Sequence, residues 1–157
     1  MSIESKTQKF AIEETVASFF FCSLQNRTGL NFLNLDEEGA LRVAIVNAGP
    51  SSFQTITTTD LKQRATIVID FSKAGGLRFT APPEPVPGFE LTVDEAGPVI
   101  TLVQTAFYWS WFAGEYLAVN LPGVIVTGES GSGEVSVSLN NIEGGVNQSF
   151  SAVLMRL

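Results

Sequence analysis

Between Pro98 and Gly128 the sequence runs PVITLVQTAFYWSWFAGEYLAVNLPGVIVTG, with Glu115 as its one charged residue. The stretch contains both tryptophans, both tyrosines and two phenylalanines. A chain of 157 residues is long enough to build a core without staples, and this run is its natural centre. Three structures compete for it. A membrane span fits the length and low charge of Val99–Val119, but Lys and Arg are missing from the flanks and the aromatics sit mid-run. A buried helix requires i, i+3, i+4 spacing, and the run is too rich in β-branched and aromatic residues to favour one. Strands fit best. Val99–Val103 reads as one, and Phe107–Phe112 alternates so that Phe107, Trp109 and Trp111 share a face. Tyr116–Leu121 and Val124–Thr127 follow, separated by Pro122-Gly123.

The same pattern recurs along the chain. Phe10–Leu24 fits either a helix face or a strand, and its Thr, Val and Phe content favours a strand. Gln25–Gly29 reads as a turn and Asn31–Gly39 as a loop with an acidic tip. Leu41–Val46, Ser52–Thr59, Thr66–Phe71, Leu77–Thr80, Phe89–Val93, Glu134–Leu139 and Gln148–Leu157 read as further strands. Gly, Pro and Asn turns punctuate them. About ten short strands with such turns predict an all-β fold, an antiparallel β-sandwich or jelly roll, with a barrel as the alternative. Residues 1–10 read as a polar N-terminal arm and residues 11–157 as the sandwich domain. The Pro-rich stretch APPEPVPG at residues 81–88 reads as a crossover between sheets rather than a docking ligand.

Charged residues make up only 16% of the chain and hydrophobic residues 45%. An ordinary soluble domain has roughly 25% charged residues. The difference predicts apolar surface covered by another subunit. The net charge of −7 lies entirely in residues 79–157, where Arg156 is the sole basic residue. Nucleic acid and anionic membranes require basic patches, so neither is an expected partner. The segment MSIESKTQKF has no signal-peptide core. The expected location is therefore cytoplasmic, or the virion if the chain is viral. On the same ground Asn26-Arg27-Thr28 and Asn147-Gln148-Ser149 read as chance glycosylation patterns. Cys22 is the single cysteine and reads as a small buried hydrophobe.

Much chemistry is excluded outright. The chain has no histidine, which removes the imidazole base of Ser-His and Cys-His mechanisms. Together with the lone cysteine this removes the common zinc sites, so no cofactor and no catalytic metal is expected. Gly128–Gly133 is glycine-rich but lacks the lysine of a phosphate-binding loop, and reads as a hairpin tip between Val126 and Val135. Carboxylates remain: Asp36, Glu37, Glu38, Asp94, Glu95, Glu115 and Glu129. A small hydrolase would need two of them facing across a cleft. Calcium binding would need ligands more widely spaced than Asp36-Glu37-Glu38. Glu115 interrupts the apolar block and is expected to reach solvent from a strand end.

These features predict a non-enzymatic assembly protein that packs on copies of itself or on a larger lattice. A virion component, such as a phage head decoration subunit or a tail or fibre part, is the expected setting. The expected interface residues are Ile3, Phe10, Trp109, Trp111 and Tyr116, with the two tryptophans largely buried in core or contact. The arm contributes to attachment, since only Ile3 and Phe10 follow Met1 as apolar anchors. The alternative is a carbohydrate-binding sandwich using Tyr108, Trp109, Trp111 and Tyr116 as stacking platforms. Exposure of the tryptophans separates the two readings.

Overall fold

The computed structural model describes residues 19–142 and 146–157. Its twelve strands are β1 (Phe20–Gln25), β2 (Phe32–Leu33), β3 (Gly39–Asn47), β4 (Phe53–Ile56), β5 (Thr66–Lys73), β6 (Arg78–Phe79), β7 (Phe89–Asp94), β8 (Val99–Gln104), β9 (Tyr108–Trp111), β10 (Tyr116–Ile125), β11 (Gly131–Ile142) and β12 (Val146–Arg156). They form a four-stranded sheet in the order β1-β3-β10-β6, a six-stranded sheet in the order β2-β12-β11-β5-β8-β7, and a β4-β9 ribbon. All pairings among these strands are antiparallel except the two-residue pairing of β2 with β12, and an isolated parallel bridge joins Leu35 to Val126. The fold is a β-sandwich, as the alternation predicts.

The core follows from that alternation. Ile67, Ile69 and Phe71 of β5, Ile100 and Leu102 of β8, and Val135, Val137 and Leu139 of β11 all point inward from the six-stranded sheet. Val43 and Ile45 of β3 and Leu117, Val119 and Leu121 of β10 meet them from the other sheet. Phe71 and Phe79 contact edge to face across the gap, with centroids 5.6 Å apart. Each such aliphatic or aromatic side chain stabilises the fold by about 1.5–3 kcal/mol.

Several boundaries differ from the sequence reading. Pro122-Gly123 does not end a strand. β10 runs through it with a register shift between Leu121 and Val124, a bulge that tolerates proline because the local ladder is already interrupted. Gly128–Gly133 is not a hairpin tip. Gly131–Gly133 belongs to β11, and the preceding turn carries the chain from one sheet to the other. The loop at 31–39 contains β2. Phe107 and Phe112 lie outside β9 and are exposed, so Phe107 does not share a buried face with the tryptophans. Within the described part of the 10–24 segment, Phe20–Leu24 belongs to strand β1. The arm, with Ile3 and Phe10, lies outside the described residues.

The 81–88 stretch is the crossover expected, linking β6 in one sheet to β7 in the other. It also lies along the edge of β10. Thr80 N–H donates to Gly123 O at 2.9 Å and Glu84 N–H donates to Asn120 O at 2.9 Å. Gly123 permits this approach, because a Cβ there would sit 2.5 Å from Thr80 Oγ1 and 3.0 Å from Ala81 Cβ.

Candidate binding groove beside β10

The two tryptophans point to the same side of β9, two residues apart, with ring centroids 5.2 Å apart. Their environments differ. Trp111 is buried, packs edge-on against Phe20 at 5.0 Å, and donates its indole N–H to Glu115 O at 3.1 Å. Trp109 is half-buried and contacts Phe89 edge to face at 5.0 Å. Trp111 is therefore core, while one side of Trp109 remains open.

Two buried polar side chains hold the ribbon in place. Asn47 sits where the β3-β10 ladder bends into the β4-β9 ribbon. Its side-chain amide donates to Ser51 O at 2.8 Å and Trp111 O at 3.2 Å, and its Oδ1 accepts from Gly49 N–H at 3.3 Å. At the other end Gln104 donates to Thr55 O at 3.2 Å and Ala106 O at 3.0 Å and accepts from the Thr55 hydroxyl. Buried polar groups of this kind are fully partnered because an unmade bond is costly. Neither was legible in the sequence, since amides at strand ends are also ordinary turn residues.

Between the ribbon, β10 and the Pro-rich strap lies an open groove of about 210 Å³ lined by Val86, Pro87, Trp109, Ser110, Tyr116 and Ala118, among others. Trp111 and Leu117 close its floor. Glu115 stands at its rim, exposed as expected, with a carboxylate oxygen accepting from Phe112 N–H at 3.2 Å. Tyr116 is half exposed and its hydroxyl accepts from Arg42 Nη2 at 2.9 Å, while the Arg42 guanidinium lies 4.9 Å from its ring centroid. This pair spans the alanines Ala44 and Ala118, which pair directly between Arg42 and Tyr116 on the outer face. It explains why Ala44 is buried although it points away from the core. A second depression, of about 300 Å³, opens near Arg42 and is lined by Gln25, Arg27, Glu84 and Asn120 among others.

Four exposed aromatic side chains follow the same stretch of chain, and of these Tyr116 also lines the groove. Phe107 is 74% exposed, Tyr108 52%, Phe112 51% and Tyr116 56%. The expected site residues Trp109, Trp111 and Tyr116 thus come together at one groove. Val86, Pro87 and Ala118 join them, brought there by contacts between distant segments.

Other candidates fare less well. Among the described residues no group of three or more His, Cys, Asp or Glu side chains is placed to hold a metal ion. No helix among them is long and apolar enough to cross a membrane. Asn26, in one of the glycosylation patterns, uses its Oδ1 to accept from Thr28 N–H at 2.9 Å and Leu30 N–H at 3.0 Å, capping its own turn. Cys22 packs against the core, and burial pushes its thiol up to about 12.

No protein-family model and no curated protein matches the sequence. Among solved structures, the chain is similar to BcpA, the major pilin subunit of Bacillus cereus, with TM-score 0.52 and 10% identity over 87% of this chain and 39% of that one. The chain therefore spans about two fifths of the pilin's length. It is also similar to the collagen-binding domain of a Staphylococcus aureus adhesin, with TM-score 0.47 and 12% identity over 87% and 97% of the two chains. A third similar structure is AvmM, which catalyses macrocyclization in alchivemycin A biosynthesis, with TM-score 0.40 and 11% identity over 88% of each chain. The likeness to the pilin shows a shared sandwich fold.

Proposed function

We propose that this protein is a non-enzymatic structural or binding module that works by assembly, packing on copies of itself or on a larger protein lattice. The observation that carries the reading is the aromatic strip. Phe107, Tyr108, Phe112 and Tyr116 are each at least half exposed along one run from β9 into β10. Large aromatics left exposed along one run of chain suit a contact surface, because leaving them in water forgoes their burial energy. The low charge of the chain and the absence of histidine point the same way. Within this class we place the chain on a virion, as a head decoration subunit or a tail or fibre component, and its recovery from purified particles tests that placement.

The test of assembly is the molar mass in solution across a concentration series. The wild type is expected to associate, and Phe107→Ser with Phe112→Ser to shift the midpoint to higher concentration without moving the melting transition. A wild type that stays monomeric and binds no lattice would sink the proposal. A second reading is favoured by the open side of Trp109, which with Tyr116 gives the groove two aromatic walls suited to a sugar ring. Quenching of Trp109 fluorescence by oligosaccharides, with no self-association, would select it.

A further inference from the structure

One edge of β10 is left open where the strap leaves it. Glu115 O accepts from Asn47 N–H of β3. In an antiparallel ladder the backbone groups of successive residues point to alternate sides. The N–H and C=O of Leu117 and Val119 therefore face β3, as does the C=O of Glu115, whose N–H turns to Phe112 O, and those of Tyr116, Ala118 and Asn120 face the strap. The strap uses only one of these, the Asn120 carbonyl that accepts from Glu84 N–H. Beyond Glu84, Pro85 and Pro87 have no N–H to donate. Val86 between them turns its side chain into the core, and its carbonyl is taken by Phe89 N–H. Among the described residues, the N–H and C=O of Ala118 are left without a backbone partner, and the groove opens along them.

We infer that this edge receives a short extended peptide segment bearing lysine or arginine, added to β10 as a strand. The inference rests on the assembly reading and names the chemistry of the partner's contact segment. A free N–H and C=O spaced as in a strand are matched by another strand's backbone, which gives affinity, while flanking pockets read its side chains. Here the flanks are the face of Trp109 and the ring of Pro87. Charge supplies the preference for a basic segment. Exposed Glu84 and Glu115 stand at the two ends of the open edge. Two cations, Arg27 and Arg42, share the depression beyond Glu84, and Arg42 is held over the Tyr116 ring on the outer face.

The test uses the full chain and an end-capped synthetic peptide of alternating valine and lysine, with a backbone N-methylated peptide of the same sequence as control. Binding is read by titration calorimetry and by Trp109 fluorescence. Ala118→Pro removes the free N–H while sparing the bonds to β3, since proline is accommodated where the N–H faces outward. It is expected to weaken binding about tenfold, as is N-methylation of the peptide. Glu84→Gln with Glu115→Gln is expected to weaken it about threefold and to flatten its salt dependence. Should Ala118→Pro fail to fold, the N-methylated peptide and the Glu variants decide alone. Equal binding of the two peptides, a folded Ala118→Pro chain that binds normally, or a Trp109 response to oligosaccharides but not to peptide would overturn the inference. Failure to bind peptide by a chain that still self-associates leaves the assembly proposal standing. Peptide binding by a chain that stays monomeric does the reverse.

Discussion

Asn47 shows how one side chain can decide where a sheet bends. Its amide and its backbone together bond Ser51, Trp111, Gly49, Glu115 and Gly114. Asn47→Ala would leave several of these buried groups unpaired, and a loss of about 1–3 kcal/mol is expected, read from the urea midpoint. Trp109 and Trp111 divide at the same corner. Iodide is expected to quench Trp109 partly and leave Trp111 emitting, and equal quenching of both would contradict the burial described here. Cys22 gives a prediction with a sign. Its ordinary value is 9.0 and burial raises it to about 12. Between those values the unfolded chain loses the thiol proton while the folded chain keeps it. The stabilisation is therefore complete below about pH 9 and is lost as pH rises toward 12. Cys22→Ala is expected to remove that part of the alkaline decline in stability, and the native thiol to resist thiol reagents at pH 8.

At the scale of elements, close backbone approach explains what composition does not. Gly133 lies in β11 where the register against β5 slips between Glu134 and Ser136. A Cβ there would come within 2.7 Å of the Ala74 carbonyl carbon and oxygen. These are backbone atoms and cannot swing aside, so Gly133→Ala is expected to lower the melting temperature, at a cost of about 1–3 kcal/mol. The strands themselves were largely legible. β3, β5, β7 and β8 were readable because each alternates cleanly or is bounded by turn residues. β10 is not legible as one strand because Pro122-Gly123 reads locally as a break, whereas the strand continues through a bulge on which the strap docks. Residues 128–133 are ambiguous for a related reason. Glycine marks a place where the chain can turn or approach closely, but only the neighbouring strand decides which.

Over the whole molecule, the chain crosses repeatedly between two sheets, so the groove beside β10 is assembled from segments distant in sequence. The sequence by itself determined the class of fold, since period-two alternation with Gly, Pro and Asn punctuation can bury its apolar faces only as stacked sheets. It also determined what chemistry is missing, because residues that are not in the chain cannot be supplied by folding. It pointed to Trp109, Trp111 and Tyr116, but it could not say that Trp111 is core and Trp109 a wall. Burial depends on which strands lie opposite, and pairing between distant strands is settled by the packing of both faces at once. Only the tertiary structure placed the prolines of the strap beside Ala118 and left that edge of β10 open. A backbone N–H is present at nearly every residue, and whether it is satisfied depends on its neighbours in space.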